Sequence, residues 1–380
     1  MYLFYSFKDM QSNNSIKLCC ILNTPAHYCK VIYALIDREF RCKFVFGDDA
    51  PTVKRFDTSI LQNCSFLHYR YLRSILYVPG MLKYAFGPYH YYIINPATNS
   101  VSMWLFLVLL KLVPSKKVFT WTHGMYGKET KRQLFFKKLQ YIMCDGEFVY
   151  GDYAINLMKN RGFKATKLFP IHNSLNYDEQ LKLRNSNLLS KIYREHFGNE
   201  NPVIVVIGRL NKRKKLPMLL DAVELLKHKG QSINVVFIGD GEEKENLIQS
   251  AHSKCIDDQV WMYGACYDEK KNAELLYNAT VCVMPGDIGL TAIHSLMFGL
   301  PVITHNCFPN HGPEFEVVKP GKTGSFFKYN DVDSLAQYID LWTRSNNNRS
   351  EIRNACYEII DKEWNPNYQI SIIKSAFKIQ

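Results

Sequence analysis

Gly208-Arg209-Leu210-Asn211-Lys212-Arg213-Lys214-Lys215 follows directly on an apolar run, PVIVVIG, and leads into a helix-like segment. Five cationic side chains in seven residues at a strand end form an anion site, and the planar fork of Arg suits a diphosphate. A solvated loop without a ligand is the plain alternative. A second constellation, MPGDIGLTAIHSLMFGLPVITHN, spans 284–306. There Gly286 and Gly289 allow a tight turn at a strand end, and Leu290 to Phe298 reads as a short buried helix. Its amino end presents unpaired N–H groups and partial positive charge to a phosphate. A glycine pair before a helix is a weak signal alone, but two anion sites at neighbouring strand ends reinforce each other. Asp240-Gly241-Glu242 is acidic, yet it follows a strand and opens a helix, where turn chemistry and the helix dipole favour such residues, so no metal is expected.

The elements that must position these loops are legible in outline. PVIVVIG (202–208), INVVFIGDG, QVWMYG and TVCVMPG are apolar runs that each end in glycine, with helix-length segments between them. Strands buried on both faces read this way. Pro217 stands in the first turn of the helix after the basic loop, and Gly230 stops it. The first half alternates similarly, with strand-like runs at Lys17 to Leu22, Lys43 to Phe46, Tyr91 to Asn95, Lys117 to Trp121, Phe148 to Gly151 and Lys167 to Ile171. Such alternation predicts two doubly wound α/β domains, with ligands beyond the carboxyl ends of the strands. The polar stretch from Tyr177 to His196, followed by HFGNENP, reads as the linker. The expected division is 1–197, 198–362, and a segment 363–380 returning to the first domain.

Composition narrows the setting. A chain of 380 residues suits two cores, and 47% hydrophobic with 22% charged residues is globular. Eleven scattered cysteines with no C-x-x-C pair argue against a disulfide framework or a zinc site. The opening MYLFYSFKDMQSNN does not read as a secretory signal, so a cytoplasmic location is expected. Val101 to Leu110, about half the length of a membrane span, reads as a buried helix. Net charge is +12, and residues 1–200 carry 27 Lys and Arg against 14 Asp and Glu, so the excess lies wholly in the first half. Either it is a solvated basic face, or it meets an anionic membrane, a phosphorylated lipid or nucleic acid. No nucleic-acid recognition motif accompanies it. Lys128, Lys131, Arg132, Lys137 and Lys138 surround Leu134, Phe135 and Phe136, which makes 128–138 a candidate amphipathic contact with anionic lipid.

The order GRL with a Lys six residues after its Gly, FIGDG, the turn after Pro285, GLPVITH and EVVKPGKTG resembles the nucleotide-binding half of the retaining glycosyltransferases of family 4. The likeness covers about residues 203–345, and in the first half only WTHG (121–124) and FPIHNSL (169–175) agree. It implies a GT-B fold and transfer of a sugar from a nucleoside-diphosphate sugar to a saccharide or lipid-linked saccharide. The variant is similar to bacterial transferases of surface polysaccharide, O-antigen and lipopolysaccharide. By position, Gly208 opens the basic loop, and Arg209 and Lys214 match the pair that holds the donor diphosphate. Gly289, Leu290 and Thr291 match the turn whose backbone meets the phosphates, and His123 matches a histidine near the transferred sugar. Lys212 and Arg213 match no role. Both Arg209 and Lys214 lie beyond the apolar run, so little buried surface should depend on them.

The chain departs from that family at two glutamates with seven residues between them, where it carries Gly286 and His294. Asp287, Glu314 and Glu316 are candidates to replace the first, and His294 retains the capacity to hydrogen-bond a ribose hydroxyl. A nucleotide-sugar 2-epimerase or hydrolase, and a non-catalytic sugar-nucleotide-binding protein, are the alternative readings.

Overall fold

The computed structural model describes residues 17–48, 54–344 and 348–379. The opening MYLFYSFKDMQSNN, expected not to be a secretory leader, lies outside the described residues. In chain order the first half runs β1 (Leu18–Leu22), α1 (Lys30–Phe40), β2 (Lys43–Gly47), β3 (Cys64–Leu67), β4 (Arg70–Leu72), β5 (Ile75–Tyr77), β6 (Tyr91–Ile94), α2 (Val101–Lys111), β7 (Lys117–Thr122), α3 (Lys131–Met143), β8 (Gly146–Val149), α4 (Asp152–Asn160) and β9 (Leu168–Pro170). After α5 (Tyr177–Arg184) and α6 (Ile192–Phe197) come β10 (Val203–Ile207), α7 (Pro217–His228), β11 (Asn234–Ile238), α8 (Lys244–Ser253), β12 (Val260–Gly264), α9 (Glu269–Asn278), β13 (Val281–Met284), α10 (Thr291–Met297), β14 (Val302–His305), β15 (Gly324–Phe327), α11 (Val332–Arg344), α12 (Arg349–Glu363) and α13 (Pro366–Phe377).

Seven parallel strands form the first sheet, in the order β3-β2-β1-β6-β7-β8-β9, and six form the second, in the order β12-β11-β10-β13-β14-β15. Both are doubly wound, and the strand order reverses between β1 and β6 and between β10 and β13. Strands buried on both faces need apolar side chains at every position, which is why β1, β10 and β11 are buried throughout. β4 and β5 pair as a small antiparallel hairpin beside the first sheet.

The chain passes between the two domains twice. The stretch 177–196 is not a free linker: Gln180 donates to Glu269 on α9 at 2.8 Å, and Leu188 and Tyr193 enter the core of the second domain. The chain therefore crosses between domains before Tyr177. It crosses again after α12, because α13 lies on the first domain, with Ile370, Ile373 and Phe377 buried beside Ile36, Phe40 and Phe119. Each such burial contributes roughly 1.5–3 kcal/mol, enough to make α13 a fixed part of that domain. The two crossings touch: Gln369 donates to the His172 carbonyl at 2.9 Å and accepts from Ser174 at 2.6 Å.

The apolar helix α2 is only half buried. Met103, Phe106, Leu107 and Leu110 pack under the sheet, while Val101, Leu105 and Val108 face outward and are about half exposed. An all-apolar sequence carries no periodic signal to separate the two faces.

Candidate functional site

The ends of β10 and β13, where the second sheet reverses its order, carry both loops expected to bind an anion. Gly208 leaves β10 with its N–H bonded to the Ile238 carbonyl at 2.9 Å. Arg209 follows, exposed, with no hydrogen bond or ion pair to any described residue. The turn after β13 must pass against this loop, and a Cβ at Gly286 would collide with the Arg213 carbonyl. Gly289 sits at φ +54° in open space, the left-handed conformation that turns the chain into α10. The N–H groups of Gly289, Leu290 and Thr291 have no acceptor among the described residues. The Thr291 hydroxyl donates to the Ile207 carbonyl at 2.9 Å, fixing the start of α10 to the end of β10.

Lys214 is placed differently from expectation. Its ammonium donates to the carbonyls of Asp287 at 2.5 Å and Ile288 at 3.3 Å, holding the basic loop to the glycine turn. Burial lowers its pKa, partly offset by the Asp287 carboxylate. Arg213, which matched no family role, pairs with Asp287 at 2.6 Å, and the same carboxylate accepts from the Gly312 N–H at 3.1 Å. Asp287 is thus spent largely on organising the two loops.

The remaining candidates are brought near the cleft but turned to other partners. His294 faces Glu269, its Nε2 at 2.8 Å from the carboxylate. Burial alone would raise the Glu269 pKa, but the bonds from His294 and Gln180 bring it below the ordinary value. Glu314 is buried and accepts from Asn173 of the first domain at 2.9 Å, and burial pushes its pKa up. Glu316 crosses the domain boundary and caps α4, accepting from the N–H groups of Asp152 at 2.8 Å and Tyr153 at 2.9 Å. A Cβ at Gly151 would occupy the space of that carboxylate. Burial raises Glu316 to about 7, against the lowering by those two N–H groups. Both its oxygens accept from the helix terminus.

His123 leaves the end of β7 in the first domain and opens to the cleft between Tyr126 and Tyr150, with ring centroids 6.0 and 4.9 Å away. Desolvation by these walls lowers its pKa, which favours the neutral imidazole, and Asp287 from the opposite domain is close enough to act against that shift. The loop is rigid because Glu129 accepts from the N–H groups of Tyr126 and Gly127 while Lys137 donates to Glu129 and to the Gly124 carbonyl. Lys137, read from sequence as part of a lipid contact, is spent on this loop. A cavity of about 420 Å³ opens beside His123, lined also by Asn23 and Asn95 at the switch point of the first sheet and by Tyr28, Trp121 and Tyr150. Sequence reasoning missed these tyrosines; only Tyr150 carries a signal, its position directly after β8 in FVYG. The Asp240 turn is local, with its carboxylate accepting from the Gly241 N–H at 2.8 Å.

Residues 191–359 match the family Glycosyl transferases group 1. An uncharacterized glycosyltransferase of Haemophilus influenzae is 27% identical over 145 residues, 37% of this chain and 39% of the relative. The match spans about two-fifths of the length of the curated relatives. The solved lipopolysaccharide outer core galactosyltransferase WaaB, in its apo form, superposes with a TM-score of 0.69 at 14% identity, covering 96% of this chain and 99% of that one. Anabaena HepE in complex with UDP gives 0.72 at 14% identity, covering 96% and 100%. The chain thus has the GT-B fold, and its residues 191–359 are similar to the Glycosyl transferases group 1 family.

Proposed function

We propose that this protein is a glycosyltransferase of the hexosyl-transferring kind, taking its sugar from a nucleoside-diphosphate sugar. The observation that carries the reading is a sheet switch point where Arg209 has no hydrogen bond or ion pair among the described residues, its neighbour Gly208 lies against Thr291, the N–H groups of Gly289, Leu290 and Thr291 have no acceptor among the described residues, and Asp287 of the same turn acts on His123 of the other domain. The diphosphate sits on that switch point, and the acceptor enters through the cavity of the first domain. The bond from the sugar C1 to the diphosphate oxygen breaks with its electron pair going to the diphosphate, and an acceptor hydroxyl oxygen forms the new bond to C1 as its proton passes to the departing diphosphate oxygen. Arg209, Lys214 and the three N–H groups meet the charge that grows on the leaving group, the largest available catalytic term. Neutral His123 hydrogen-bonds the transferred sugar. Transfer proceeds with retention, as in family 4, and without a metal, since cationic side chains already balance the diphosphate.

The acceptor is a saccharide or lipid-linked saccharide of surface-polysaccharide, O-antigen or lipopolysaccharide synthesis, reached at the cytoplasmic face of a membrane. The likeness to WaaB, a lipopolysaccharide outer core galactosyltransferase, and to HepE, which holds UDP, supports this direction. No helix among the described residues is long and apolar enough to cross a membrane.

The test is a panel of nucleotide sugars, with and without excess chelator, read by melting temperature and by sugar release or transfer. One donor should raise the melting temperature equally in both conditions, since a ligand that binds only the folded state stabilises it. Transfer should require acceptor. Release of free sugar or an epimer without acceptor refutes transfer in favour of a hydrolase or epimerase, and donor binding with no turnover across acceptors refutes catalysis.

A further inference from the structure

The outward faces of α2 and α3 and the β4-β5 hairpin form one surface that the transfer site does not use. On α2, Val101, Leu105, Val108 and Leu112 recur at helical spacing and point to solvent, with Leu112 73% exposed. On the neighbouring α3, Phe135, Leu139 and Ile142 do the same, Phe135 62% and Ile142 66% exposed. Trp104 and Phe136, with ring centroids 6.3 Å apart, join the two helices, and Leu72 of the hairpin is 75% exposed. An aqueous helix is expected to be polar on its outward side, and an apolar face this broad marks an interaction site.

The charge on this surface has one sign. Arg70, Arg73, Lys111, Lys131, Arg132, Lys137 and Lys138 lie in these four elements, which contain no Asp or Glu. Lys137 turns inward, Lys111 lies 3.6 Å from Asp145 and Lys138 is half-buried, which leaves Arg70, Arg73, Lys131 and Arg132 exposed at the rim. An apolar centre with a cationic rim complements the acyl region and anionic headgroups of a bilayer. The surface also reaches the site. A groove of about 370 Å³ between Ile75, Val101, Trp104 and Arg132 shares Thr98 with an inner cavity, and that cavity shares Thr122, Gly124 and Lys137 with the His123 cavity.

We propose that α2, α3 and the β4-β5 hairpin seat the first domain on an anionic lipid bilayer, with the α2 stripe inserted and Arg132 at headgroup level. The segment 128–138 is then only the edge of a contact centred on α2. The inference gives the lipid-linked reading of the acceptor its geometry and rests on that reading for its purpose, but its test needs no turnover.

The whole protein is sedimented with vesicles of phosphatidylcholine alone or mixed equally with phosphatidylglycerol, at low and high salt, alongside Leu105→Glu/Leu112→Glu, Phe135→Ser, Arg132→Gln and the second-domain control Leu341→Glu. Melting temperatures accompany each variant, and Phe135→Ser carries the test should the double variant fail to fold. Wild type and control should prefer the anionic vesicles, and less so as salt rises. Phe135→Ser and the double variant should bind roughly tenfold or more weakly, and Arg132→Gln about fivefold more weakly. Equal partitioning to both vesicles, or folded variants that bind like wild type, would overturn the proposal. So would a concentration-dependent dimer in ultracentrifugation that these substitutions abolish while no vesicle binding occurs, because the face would then be an interface between copies. Vesicle binding with no transfer sustains this inference and sinks the transfer reading; transfer to a soluble acceptor with no vesicle binding does the reverse.

Discussion

Replacing Arg209 and Lys214 separately with Ala should divide binding of the leaving group from integrity of the loops. Arg209 is exposed and makes no hydrogen bond or ion pair to any described residue, so its loss should change stability by within about 0.5 kcal/mol, less than about 2 °C in melting temperature. Lys214 donates to two loop carbonyls, at 2.5 and 3.3 Å. Hydrogen bonds from a charged donor are worth about 1.5–3 kcal/mol each, and because the second is long the pair should contribute about 3 kcal/mol. In a domain of this size 1 kcal/mol corresponds to about 2–4 °C, so Lys214→Ala should melt about 6–12 °C lower. Both variants should transfer sugar roughly 10² or more slowly, measured below the lower melting temperature. Arg213→Ala should cost at most about 1 kcal/mol, because its pair with Asp287 is made by a side chain 78% exposed. Differential scanning fluorimetry with initial-rate assays checks all three. If Lys214→Ala melts with wild type, the carbonyl bonds contribute nothing; if Arg209→Ala transfers at the wild-type rate, the free guanidinium is not a diphosphate ligand.

Two further outcomes follow from the same geometry. Glu316 titrates at about 7 in the folded protein against an ordinary 4.5, so the folded state holds the extra proton and stability should fall as pH rises between those values. Glu316→Gln should flatten the melting temperature against pH over that interval, and parallel profiles would reject the assignment. Gly286→Ala drives a Cβ into the Arg213 carbonyl, so it should cost about 1–3 kcal/mol by thermal melting and weaken donor binding by titration, with an unchanged melting temperature as the contrary result.

The sequence carried the second sheet well because β10, β11 and β13 are predominantly apolar runs with a glycine within two residues of their ends, a pattern set by local chemistry. β3 escaped notice because it is an edge strand with only Leu67 buried, so it shows neither a continuous apolar run nor clean alternation. The anion loops were legible for the same local reason: glycines at 208, 286 and 289 are demanded by the backbone itself. What could not be read were choices of partner made across long separations. His294 meets Glu269 from another helix, and Glu316 caps a helix of the other domain, 164 residues away in the chain. Lys214 and Arg213 are adjacent and alike in charge, and only the fold decides that one is tied to carbonyls and the other to a carboxylate.

The return of α13 to the first domain also governs the order in which the molecule can assemble. Phe377 stacks on Tyr91 with ring centroids 4.2 Å apart, across 286 residues of chain, and Lys374 reaches Glu39 at 2.7 Å. During synthesis the first sheet emerges long before the helix that covers it, so Phe40, Phe119 and their neighbours stay uncovered until the second domain has been made. The half that starts first is therefore the half that finishes last, and a nascent chain halted before Pro366 holds an unroofed sheet, the state in which chaperone capture or aggregation competes with folding.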